Sequence, residues 1–341
     1  MAELNGHGNE LDDLVPEGGE LGAVMRLPVT QAGRRATNLL RAPLPGRVAH
    51  VFERCFYLEN SRGEMACVGE PSIGAGPLNA LLGDQDVDVW PGAPWWRLLR
   101  PGHRYTSKGG EVWVGNGLVL CVRNASLWRA PHPARTLDRR LLECHLRGFR
   151  RAAQQAAPKE GLSFLVTGSP PPEADSLRGA IAAQAVRAVI PLSHWLAGQP
   201  EAGVSPEPGA PNKAAYSQPP PAAEALLGLG PGLTPSGDDL ICGLLLALQA
   251  LDRPAVAHAL AQWALPLARH RCSPLSAAHL SAAAEGEGAS ALHELLQGLG
   301  RDATWTAEPH ISALAGHGHT SGWDALAGVW LAMSVYAATA P

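Results

Sequence analysis

One twelve-residue frame occurs twice in this chain, and it limits the fold more than any other feature. Ser236-Gly237-Asp238-Asp239-Leu240-Ile241-Cys242-Gly243-Leu244-Leu245-Leu246-Ala247 shares S-G-x-D-x-x-x-G-x-x-L-A with Ser321-Gly322-Trp323-Asp324-Ala325-Leu326-Ala327-Gly328-Val329-Trp330-Leu331-Ala332. A threonine stands shortly before each copy, Thr234 and Thr320. An internal repeat of this kind implies two equivalent helix starts. Serine with an acid three residues on has the form of a capping box, Ser236 with Asp239 and Ser321 with Asp324, each contributing on the order of 1 kcal/mol. Gly243 and Gly328, four residues beyond each acid, lie on the same helix face and would let the two helices approach closely.

Capping does not explain what lies upstream. "GLGPGLTP" places Gly228, Gly230 and Gly232 just before the first helix start. A helix start carries N–H donors without partners and a positive dipole end, and glycines let an anion come close to that backbone. Phosphate or carboxylate is the natural guest. Asp238 and Asp239 would repel an anion directly, so one acts as a base or a cation bridges them to it. The second start offers imidazole instead, in Gly316-His317-Gly318-His319. Arg271, in the cationic run Arg269-His270-Arg271, could face the same anion. The candidate site is therefore Asp239, His319 and Asp238 for catalysis, with Gly230, Gly232, Thr234, Ser236, Gly237, Thr320, Ser321, Asp324 and Arg271 binding ligand.

Other chemistries are poorly represented. His317 and His319 form an H-x-H pair with no further clustered ligand, so no transition-metal site is assigned. "DQDVDV", 84–89, starts like a calcium loop, but Val89 and Trp95 stand where Gly and Glu are needed. Ser236 is not in G-x-S-x-G, and no cysteine has an obvious histidine partner. Neither a G-x-x-x-x-G-K-[ST] loop nor a G-x-G-x-x-G turn between strand and helix is present.

Composition sets the frame for this site. A net charge of −4 gives no basic field to hold nucleic acid. Six cysteines are scattered through the chain without a C-x-x-C, as expected of free thiols in a reducing compartment. The first twenty residues carry six acids and no Lys or Arg, and no run of about 18 apolar residues follows. The expectation is an acidic tail (1–25) on a cytoplasmic protein that does not enter a membrane. From Arg47 to Asn124 short strands alternate with turns such as 60–63 and Asn116-Gly117. After Pro133, apolar residues recur at helical spacing in 134–157 and again in 172–196, where Pro191 should bend the helix. The reading is α+β: an antiparallel β-rich domain (26–130), then a mainly helical domain (131–341) interrupted by a Pro-rich connector at 198–221.

G-L-G-P-G-L-T-P-S-G-D-D, the helix end Ala283-Ala284-Glu285-Gly286 and the terminal G-H-T-S-G-W-D-A-L-A-G resemble a bacterial protein family long of unknown function. Its named member is a subunit of oxamate carbamoyltransferase from anaerobic allantoin degradation, part of purine catabolism, and the likeness runs from about Pro45 to Met333. The resemblance implies carbamoyl transfer, in which oxalurate and phosphate give oxamate and carbamoyl phosphate, or the reverse. It also implies partner subunits, one of them like a CoA-ligase chain. The S-x-R-T-R phosphate motif of ordinary carbamoyltransferases is absent, so phosphate would sit at "GLGPGLTPSG". Asp239 or His319 would serve as base, with N–H groups around Ser236 and Gly237 facing the developing oxyanion. Two alternatives remain at this point. The S-G-x-D helices could form the interface of a non-catalytic subunit, or the chain could be an independent enzyme on a small phosphorylated or carboxylated metabolite, with Mg²⁺ between Asp238 and Asp239. No cofactor is otherwise expected.

Overall fold

A computed structural model describes residues 24–83, 97–115, 117–131, 137–173, 175–200, 217–315 and 320–339. Its first half is a β-domain made of β1 (Met25–Gly33), β2 (Gly46–Val51), β3 (Cys55–Asn60), β4 (Met65–Gly69), β5 (Asn79–Leu82), β6 (Arg104–Lys108), β7 (Glu111–Val114), β8 (Leu118–Cys121) and β9 (Ser126–Trp128). The strands follow the order β5-β4-β3-β2-β6-β7-β8-β1-β9, and β5 also pairs with β1, which closes the first eight into a barrel. Closure removes the exposed edges that would otherwise invite aggregation. Most pairings are antiparallel, as the turn signals required. β1 with β8, β1 with β9, and β4 with β5 are parallel, because long connections join them.

Period-2 alternation decides what fills the barrel. In β1, Met25, Leu27 and Val29 point inward while Arg26, Pro28 and Thr30 face out. Phe56, Leu58, Val68, Val112, Val114 and Leu120 complete this core. α1 (Arg34–Arg41) follows β1 and buries Ala36, Leu39 and Leu40 in the same cluster.

The second half is helical: α2 (Arg139–Ala156), α3 (Phe164–Thr167), α4 (Leu177–Ala197), α5 (Ser236–Ala250), α6 (Pro254–Arg271), α7 (Pro274–Ala284), α8 (Ser290–Gly298), α9 (Glu308–Ala315) and α10 (Ser321–Thr339). α4 continues through Pro191 as one helix. α5 is buried on every side, with only Gln249 partly exposed, as expected of a helix that is apolar all round. Each fully buried leucine along it contributes roughly 1.5–3 kcal/mol. No helix among the described residues is long and apolar enough to cross a membrane.

The two halves are joined by charge and backbone contacts. Arg34 and Arg35 of α1 pair with Glu285 and Glu287, which follow α7, and the Ser290 N–H donates to the Ala75 carbonyl. Glu285, singled out above as part of a helix-end motif, thus serves docking of the halves.

Candidate functional site

α5 and α10 start side by side and run in the same direction. The Thr234 and Ser321 hydroxyls, one from each start, lie 2.8 Å apart in a hydrogen bond. One turn further on, a Cβ at Gly243 would sit 1.8 Å from the Ala325 carbonyl oxygen, and a Cβ at Gly328 would sit 1.9 Å from that of Leu240. Leu240 and Ala325 occupy equivalent places in the repeat, so the two contacts are reciprocal and the helix pair is close to twofold symmetric. The close approach expected of Gly243 and Gly328 is present.

The capping boxes are not. Pro235 is the N-cap of α5 and makes no side-chain cap, while Ser236 is already the first helical residue. Ser321 likewise opens α10. That shift of one position turns both serines toward the partner helix. The Ser236 hydroxyl acts to lower the Asp324 carboxyl and that of Ser321 the Asp239 carboxyl, so each serine bears on the acid of the other repeat.

Asp239 and Asp324, equivalent positions of the repeat, are both buried near the paired helix starts, close enough for the charge of Asp324 to act on Asp239. Asp324 is fully buried, and its Oδ1 accepts the Leu162 N–H at 2.6 Å. Gly161 leaves room for this, since a Cβ there would lie 2.4 Å from the same oxygen. Oδ2 of Asp324 and Oδ2 of Asp239 are both buried without a hydrogen-bond partner among the described residues. Burial, and then the charge of Asp324, push the Asp239 carboxyl well above the usual carboxylate range. Burial also raises Asp324, against the lowering effect of the Leu162 N–H and the Ser236 and Thr320 hydroxyls. Two interacting acids in one low-dielectric space cannot both ionise readily.

Asp238, its neighbour in sequence, points elsewhere. Oδ1 accepts the Gly228 N–H at 2.7 Å and the Cys272 thiol at 3.1 Å, and Oδ2 accepts the Ser276 hydroxyl at 2.6 Å. These donors make it a brace that ties the glycine loop and α7 to α5. A Mg²⁺ ion between Asp238 and Asp239 would have to displace them, so this donor set does not suit that cation. Ser276→Ala is expected to lower stability by roughly 1–3 kcal/mol, read as a lower denaturant midpoint, because it strips a buried carboxylate of a donor. An unchanged midpoint would show that water replaces the hydroxyl.

The glycine loop is only partly the cradle that its sequence suggests. The Gly237 N–H goes to the Leu229 carbonyl, and those of Asp238 and Asp239 go to Pro235. Gly237 therefore cannot supply the oxyanion donor expected of it. The N–H groups of Gly230, Gly232 and Thr234 make no hydrogen bond among the described residues, and positive φ angles of 118° and 96° at Gly230 and Gly232 shape the turn that presents them. Arg271 is committed to Glu224, its Nη2 lying 2.9 Å from the carboxylate. Thr320 stands immediately before α10. His317 and His319 lie outside the described residues, as do 84–89.

Sequence reasoning missed Leu162 and Ser276, which donate to Asp324 and Asp238 respectively. Nothing local in the sequence marks these residues, because each acts across a long stretch of chain. Ser276 alone had a cue, the helix-start pattern Ser273-Pro274.

Residues 226–333 match the family model of the oxamate carbamoyltransferase subunit AllH. The match contains both copies of the repeated frame, so the family resemblance carried by those motifs is borne out over this segment. No curated protein and no solved structure matches the chain. The AllH segment runs from the start of the glycine loop to Met333 on α10, and so includes Asp239, Asp324 and their hydroxyl partners. Leu162 and the barrel lie outside it.

Proposed function

We propose that this chain is a subunit of a carbamoyltransferase of the oxamate type, and that its reacting groups meet at the paired starts of α5 and α10. The observation that carries this reading is the pair of buried, unpartnered carboxylate oxygens on Asp239 and Asp324, inside the segment that matches AllH. Leaving such oxygens without donors costs several kcal/mol unless a proton or a ligand satisfies them. A carbamoyl group meets both needs, its NH₂ donating to an ionised oxygen and its carbonyl accepting from a protonated one.

The chemistry then follows from protonation. In the phosphorolytic direction a phosphate oxygen attacks the carbamoyl carbon of oxalurate, and the bond from that carbon to the oxamate nitrogen breaks. The leaving nitrogen needs a proton, which Asp239 supplies; in the reverse direction Asp239 takes it back as the amide nitrogen attacks. A carboxyl held above its usual range suits both roles near neutral pH. Negative charge on Asp324 would hold the proton on Asp239. The free N–H groups of Gly230, Gly232 and Thr234 receive the phosphate, and the Ser236 and Ser321 hydroxyls orient the two carboxyls.

The alternative in which the S-G-x-D helices form a subunit interface finds no support, since both helices are spent on each other within one chain. Other subunits, including a CoA-ligase-like one, would dock elsewhere.

Thermal melting of the purified chain with phosphate, carbamoyl phosphate and oxamate tests this placement. A ligand at about a hundred times its Kd stabilises by roughly 2.7 kcal/mol. The shift should disappear in Gly232→Val for phosphate and in Asp239→Asn for oxamate, with circular dichroism confirming the fold. No shift, or shifts retained in both variants, would refute the site.

A further inference from the structure

A second cavity lies at the mouth of the barrel, away from the Asp239–Asp324 pair. It is an open depression of about 590 Å³ between the end of α1 and the β6–β7 hairpin, with room for a small metabolite. Arg41, Lys108 and Arg123 line it, with Ser107 beside them and Leu40 and Pro43 forming an apolar wall. No acidic residue is among the lining residues. The nearest carboxylate in sequence, Glu111, is already held by Arg26 at 2.6 Å.

Structural duties account for part of this arrangement. Arg41 lies in the last turn of α1, where a cation complements the helix dipole. Arg123 donates to the Gly109 carbonyl at 2.7 Å, across the hairpin turn that Gly109 and Gly110 make with φ of 63° and 85°. That bond fixes the guanidinium at the rim while leaving most of its donors unused. Two further facts have no structural account. Among the described residues Lys108 brings a third positive charge to the same space without an ion-pair partner, and the neighbouring Ser107 Oγ, turned to the face of Tyr105, is buried without a hydrogen bond. Three cations around one cavity, with no counter-charge among the described lining residues, match a group carrying more than one negative charge.

We propose that this cavity binds a phosphate-bearing small molecule, with its phosphate held by Arg41, Lys108 and Arg123 and its organic part against Leu40 and Pro43. Phosphate fits better than a lone carboxylate, because two guanidinium groups and an ammonium match its charge and number of acceptors. The site is independent of the carbamoyl-transfer reading and would stand if that reading failed.

Calorimetric titration of the full chain with inorganic pyrophosphate at low ionic strength tests the proposal, with malonate run beside it. The expected result is saturable binding of one pyrophosphate, much tighter than malonate and weakened by salt. Lys108→Gln, an exposed hairpin position with no structural bond, should weaken it about tenfold. The Arg41→Gln/Lys108→Gln double variant should abolish it, while Asp239→Asn should retain it. Absence of saturable binding, binding unchanged in the double variant, loss in Asp239→Asn, or malonate binding as tightly would each overturn the assignment.

Discussion

If the proposed function holds, Asp239→Asn is expected to lower carbamoyl-transfer kcat by about 10²–10⁴-fold, the range for loss of a positioned acid–base group. The same variant should melt higher than the parent at neutral pH. The sign follows from the raised carboxyl. Below the ordinary carboxylate range, folded and unfolded chains both hold the proton and its burial costs nothing. As pH rises through that range, near 4, the unfolded chain releases its proton while the folded chain does not. The unfolded state then binds fewer protons, so stability falls as pH rises toward the folded pKa. Asparagine keeps the shape and removes the titration, so the variant should gain about 2–5 °C near pH 7 and nothing near pH 4. Melting curves from pH 4 to 8 on both proteins check this. Lost turnover with a higher Tm at neutral pH separates a site residue from a structural one, since a structural acid would lose both. Retained turnover would remove Asp239 from the mechanism.

Gly243→Val and Gly328→Val should each cost more than about 4 kcal/mol, enough to prevent folding in most proteins. The obstacle at both positions is backbone. A Cβ at Gly243 meets the Ala325 carbonyl, and one at Gly328 meets the carbonyl of Leu240, so no side-chain rotation can relieve the overlap. The two variants should behave alike, because the contacts are related by the repeat. Gly232→Ala is the control. It has nothing within 4 Å, and only its φ of 96° opposes a side chain, so it should cost about 1–2 kcal/mol and leave the fold intact. Far-ultraviolet circular dichroism and urea midpoints distinguish these outcomes. If Gly243→Val folded with near-parent stability, α5 and α10 would have to be able to separate, and the Asp239–Asp324 pair would not be held as described.

Much of the fold was legible because it rests on local periodicity. The polar turn at 60–63 falls between β3 and β4, and Leu142, His145 and Phe149 recur at helical spacing in α2, whereas β1 escaped the strand reading, which begins only at Arg47. Barrel closure was not legible, because the pairing of β1 with β5 depends on register across a long loop. The helix starts show the same division. The repeated frame named Asp239, Asp324, Gly243 and Gly328 together, but the capping-box reading placed Ser236 and Ser321 one position too early. Local rules pair a serine with its own helix, whereas here each bears on the acid of the other.

The sequence by itself determined that two equivalent helices begin with serine, glycine and acid, that glycines allow them to touch, and that a β-rich half precedes them. Those features depend on residue type and spacing along one segment. Only the tertiary structure decided that Asp238 is braced by Gly228, Cys272 and Ser276 while Asp239 lies under the charge of Asp324. Adjacent residues on a helix point about 100° apart, so two neighbouring acids must face different surroundings. Which of them met donors and which met another carboxylate was settled by where α7 and α10 packed against α5.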